Sequence, residues 1–212
     1  IVIGKTMLGY KTLPVLLPLV VLLLGIIFHG KQNSKDPWTG GPISWPKAFW
    51  LANAIVSWFM YPICLFFVPG VPDYLQLFLW VHLIGWWIRG PLELVMIYKW
   101  LNWSPKYGIT HDLCQLVFYV VILGWAFLKT SNKDFAFYFA FSFGIYIIIQ
   151  MIFEATFARL FLLARSEEEA KENIYFASDD PKWIFINRLT FLAVCFSFLF
   201  GIGQGALLLF AN

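Results

Sequence analysis

From Phe135 to Leu163 the chain runs through apolar and aromatic residues, carrying charge only at Glu154 and Arg159. A helix needs about 20 such residues to cross a hydrocarbon core about 30 Å thick. A helix that is apolar nearly all round must be enclosed by protein or by lipid. Comparable runs cover residues 13–29, 48–68, 74–100, 113–129 and 183–210, and the long run itself fills 135–164. The predicted fold is therefore all-α, a polytopic transmembrane helical bundle of about six spans, in a single domain over 1–212. Composition supports this, because only 13% of residues are charged and 60% are hydrophobic, whereas a soluble domain carries about 25% charged residues.

Proline and glycine punctuate the runs. Pro14 and Pro18 stand near the start of the first, where missing amide protons are tolerated. No small-residue cleavage site follows His29, so this run is read as a span, not a leader. Pro62 predicts a kink in the second helix, and Gly90-Pro91 predicts a kink or local break in the third. Pro69, Gly70, Pro72 and Asp73 form a tight turn. Beyond Leu163 the pattern ARSEEEAKENIYF suits a helix continuing into solvent or along the interface, until SDDPK breaks it.

Lys and Arg on alternate loops set orientation. One side holds Lys5, Lys11, Lys129 and Lys133, whereas the other holds Lys31, Lys35, Lys47, Lys99, Lys106, Arg159, Arg165, Lys171, Lys182 and Arg188. The second side is predicted to be cytoplasmic, with both termini outside. The basic residues form no run suited to nucleic acid. Cys64, Cys114 and Cys195 lie far apart within apolar stretches and read as small packing residues. His29, His82 and His111 fall on different segments without metal or haem spacing, so no metal and no cofactor is expected. Hydrolase, nucleotide and dinucleotide fingerprints are missing as well.

Ionisable groups inside spans are costly and point to function or to pairing. On the third helix His82, Arg89 and Glu93 share one stripe with Trp86, at offsets of seven and four. On the fifth, Tyr146, Gln150 and Glu154 follow one another at offsets of four. Counted from Tyr74 and Phe135, Arg89 and Gln150 lie at one level and Glu93 and Glu154 at another, roughly 22 to 29 Å below the outer surface. His111, Asp112 and Gln115 at the start of the fourth helix, with Asn187 and Arg188 at the start of the sixth, join that level. The expected site is thus an inner-leaflet polar cluster of His82, Trp86, Arg89, Glu93, Gln150, Glu154 and Arg188. Simple pairing of Arg89 with Glu93, snorkelling of Arg188 and interhelical bonding by Gln150 would account for the same residues without a ligand.

The words WWIRGPLELVMIYKWL, then QLVFYV, then FYFAF, resemble the emopamil-binding, sterol-isomerase type of membrane domain. That resemblance implies five helices enclosing a lipophilic ligand. The second run, AFWLANAIVSWFMYPICLFF, lacks the His and Glu that such isomerases use, so no catalytic residue carries over. Three functions are compatible with the sequence. The first is binding or transport of a lipophilic or weakly charged small molecule in the polar cavity. The second is an accessory subunit, docking on a partner through the small-residue face Ser197, Gly201 and Gly205. The third is a lipid-modifying enzyme using Glu93, Glu154 and His82 as acid or base groups. Membrane lipids are expected neighbours in each case.

Overall fold

The computed structural model describes residues 19–27, 29, 45–98, 105–164 and 181–210, and these are mainly helical, with no strand among them. Helix α1 spans 19–27. Helix α2, Trp45–Asn53, leads directly into a π-helical segment, Ala54–Met60, and then into α3, Tyr61–Leu65. Four long helices follow: α4 (Asp73–Tyr98), α5 (Pro105–Lys129), α6 (Phe135–Ala164) and α7 (Pro181–Phe210).

Local chemistry explains the boundaries. Gly70 adopts φ of 84° in the turn before α4, a conformation that a side chain disfavours. The Pro72 carbonyl accepts from the amides of Leu75 and Gln76, closing the first turn of α4. Asp134 caps α6, its Oδ1 accepting from the Phe137 amide at 3.0 Å. Helix α5 starts at Pro105, well before the expected boundary at residue 113. Proline suits a first helical position because its ring presets φ and no amide bond is lost.

The two proline expectations turned out differently. Helix α4 continues through Gly90 and Pro91 without a break, at the expense of one backbone bond. Ahead of Pro62 the backbone widens instead, and the Tyr61 amide bonds back to the Val56 carbonyl, five residues earlier.

Three helices are long and apolar enough to cross a membrane: Lys106–Lys129, Phe135–Leu160 and Ile184–Leu207. Ala54–Leu65 is a shorter apolar helix. The described residues thus show three candidate spans, and six are not clearly present. The physical reasons lie in the remaining helices: α4 carries His82, Arg89 and Glu93, the α2–α3 run is interrupted, and residues 13–18 of the first expected span lie outside the described residues. The expected extension of α6 through 165–180 lies outside them too.

Helix α5 packs along α6, α6 and α2 both pack on α7, and α4 packs on α5 and α6 and beside the π-helical segment. Phe143 of α6 stands in the middle, its ring centroid 5.4 Å from Tyr61, 5.7 Å from His82 and 6.0 Å from Tyr146. The first two contacts are edge-to-face and the third is tilted, both favourable geometries for rings in a core. The outward faces are apolar, with Trp87, Val117, Phe118, Leu128, Leu199 and Ile202 exposed.

Candidate functional site

The π-helical segment runs into Pro62, which has no amide proton to add to the backbone ladder. His82 of α4 bonds the backbone of that segment, with Nε2 2.7 Å from the Trp58 carbonyl oxygen. A carbonyl only accepts, so Nε2 carries the ring proton. In the neutral ring Nδ1 accepts from the Tyr119 hydroxyl of α5 at 2.8 Å. The Tyr119 oxygen in turn accepts from Gln115 Nε2. Gly85 makes this possible, since a Cβ there would lie 2.6 Å from Gln115 Nε2. Both nitrogens of His82, fully buried, are thus engaged within the protein.

About two helical turns beyond His82 on α4, Arg89 pairs with the buried Asp112 of α5, Nη1 to Oδ1. The His111 Nδ1 lies 3.3 Å from each of these two groups. The guanidinium carbon sits 4.7 Å from the centroid of the Trp86 ring, a cation–π contact. The pair neutralises itself in a region where an uncompensated charge would be costly. Asp112 Oδ2, Gln115 Oε1 and Trp86 Nε1 are buried without a hydrogen-bond partner among the described residues.

Gln150 faces a different seam. Its Nε2 donates to Ser197 Oγ at 2.9 Å and to the Ala193 carbonyl at 3.1 Å, both on α7. Ser197 also meets the Tyr146 hydroxyl at 2.9 Å and donates to Ala193 O at 3.0 Å. Closer to the other end, the Tyr61 hydroxyl donates to Gln204 Oε1 at 2.7 Å, and Gln204 Nε2 donates to Ser142 at 2.6 Å. Asn53 Oδ1 accepts from Ser57 at 2.8 Å.

His82, Trp86 and Arg89 therefore gather on the α4–α5 seam, while Gln150 lies on the α6–α7 seam. Glu154 is buried on α6, Arg188 is exposed on α7, and the Glu93 side chain lies outside the described residues. The small-residue face of α7 turns inward, with Ser197, Gly201 and Gly205 all buried. Among the described residues, no group of three or more His, Cys, Asp or Glu is placed to hold a metal.

Two spaces lie beside α7 and share Phe200 in their walls. A groove of about 400 Å³ is lined by Tyr138, Phe141, Ser142, Ile145, Tyr146, Phe196, Phe200 and Leu207. Ligand sites commonly measure about 300–1,000 Å³ and combine apolar walls with a few polar groups. On the far side of Phe200 is a hole of about 10 Å³, lined by Asn53, Ser57, Tyr61 and Ser197 together with Val21, Phe198, Phe200 and Gly201.

Sequence reasoning missed Asn53, Ser57, Tyr61, Tyr119 and Gln204. Asn53, Ser57 and Tyr61 recur every four residues, a polar stripe legible in the second run. Tyr119 lies four residues after Gln115, whereas Gln204 gave no such periodic signal. No family model, no curated protein and no solved structure matches this chain.

Proposed function

We propose that the chain is a multi-pass integral membrane protein, its helices crossing as the six apolar runs suggest, that binds a lipophilic small molecule in the α6–α7 groove. Support for the membrane reading comes from the distribution of polarity. The buried set includes Asn53, His82, Arg89, Asp112, Gln115 and Gln150, while large apolar side chains cover the outward faces. A water-soluble monomer rarely exposes contiguous apolar surface on that scale.

The observation that carries the binding reading is the groove, whose volume suits a small molecule and whose walls are chiefly rings and branched chains. The surface the groove presents is almost wholly apolar, as a hydrocarbon body requires. On this reading the lipophilic site lies on α6 and α7, away from the Arg89–Asp112 pair.

The test uses the full chain in lipid nanodiscs with an alkyl-diazirine photoprobe. Binding predicts labelling concentrated at Tyr138, Ile145 and Leu207, and its loss when Ile145→Trp fills the groove. Labelling no stronger there than at the outward residues Val117 and Phe118 would overturn the reading.

A further inference from the structure

We propose that the hole beside the π-helical segment is a seat for one neutral hydroxyl oxygen, and that it recognises the alcohol headgroup of an amphiphile lying in the α6–α7 groove. This rests on the groove being the lipophilic site. The hole's volume of about 10 Å³ matches the room that a single water-sized oxygen needs, about 10–15 Å³.

The hydrogen-bonding capacity of its wall defines the occupant. Asn53 is 1% exposed, and its Nδ2 has no hydrogen-bond partner among the described residues. Its Oδ1 already accepts from Ser57, which fixes the amide so that the NH2 group is the side with donors to spare, beside the Tyr146 hydroxyl. The hydroxyl protons of Ser57, Tyr61 and Ser197 are directed at Asn53 Oδ1, Gln204 Oε1 and Ala193 O respectively. What remains are the two N–H donors of the Asn53 amide, one of them within reach of the Tyr146 hydroxyl, and the spare lone pairs of Ser57 and Tyr61. An oxygen that accepts from Asn53 and donates to Ser57 or Tyr61 satisfies both requirements, and a hydroxyl does so with one atom.

Charged headgroups fit badly. No residue lining the hole is ionised to pair with them, and an uncompensated charge at such a site costs several kcal/mol. A carboxylate or phosphate also exceeds the space.

The same geometry connects the seat to the groove. Phe200 lines both spaces and stacks on Tyr146 at 4.2 Å with an interplanar angle of 11°. Displacing the half-buried Phe200 ring would join the two spaces, with the apolar body outside the partition and the hydroxyl within. Water is the alternative source of the same oxygen.

Two alkyl-diazirine probes of equal length, one ending in hydroxyl and one in methyl, separate these possibilities in nanodiscs containing the full chain. The seat predicts several-fold stronger labelling of the groove by the hydroxyl probe. It also predicts loss of that excess in Asn53→Leu and a reduction in Ser57→Ala, with thermal unfolding confirming that each variant is folded. Equal labelling of the groove by the two probes would mean that the hole serves water alone, overturning the seat while leaving the groove reading intact. An excess that persists in both variants would overturn it as well. Labelling by neither probe above the level at Val117 and Phe118 would overturn seat and groove together.

Discussion

His82 Nε2 lies 2.7 Å from the carbonyl oxygen of Trp58 in the π-helical segment. A side chain of one helix thereby bonds the backbone of another, and the contact fixes the rotation of α4 against the π-helical segment. His82→Leu should cost about 1–3 kcal/mol for each buried polar group left unmatched. The loss should overlap with that of Tyr119→Phe, whose hydroxyl bonds the other nitrogen of the same ring. A double-mutant cycle from unfolding in detergent measures this coupling, and strictly additive losses would refute the assignment.

Arg89 and Asp112 form the buried ion pair of the α4–α5 seam. Replacing either alone, as Arg89→Met or Asp112→Leu, should destabilise the protein by about 3–5 kcal/mol. The double substitution should cost less than either single one, because no uncompensated charge then remains. Unfolding midpoints of the three variants check the order.

Gly85 leaves space for Gln115 to lie across α4, with its Nε2 on the path of any added Cβ. Gly85→Ala should destabilise by about 1–3 kcal/mol through overpacking, and shortening the obstacle with Gln115→Ser should recover part of the loss. Equal penalties in both backgrounds would show that the close approach is unimportant.

Ser197 joins Gln150 and Tyr146 across the α6–α7 seam. Interhelical bonds within membranes average about 0.6 kcal/mol, so Ser197→Ala should have a modest effect, far smaller than that of His82→Leu. Comparison of the two unfolding free energies decides whether this seam acts as interhelical adhesive.

The proposed topology predicts opposite labelling of two single cysteines in a chain whose Cys64, Cys114 and Cys195 have been replaced by Ala. Asn132→Cys should react with an impermeant maleimide from outside, and Tyr107→Cys only after the cytoplasmic side is opened. Reaction of both from the same side would remove the odd number of crossings assigned to α5.

The apolar runs alone determined that the chain is helical, because their lengths and their interruptions by Gly, Pro and charge define where helices can persist. They also revealed which residues share a helix face: His82, Trp86 and Arg89 do lie on one seam. A helical offset, however, reports rotation and depth along one helix, not the neighbour it meets. Only tertiary structure decided that Arg89 pairs with Asp112 of α5, that Gln150 meets Ser197 of α7, and that His82 meets the Trp58 carbonyl. Those choices depend on how the helices are rotated against one another, which packing of the rings around Phe143 fixes and no single stretch of sequence contains.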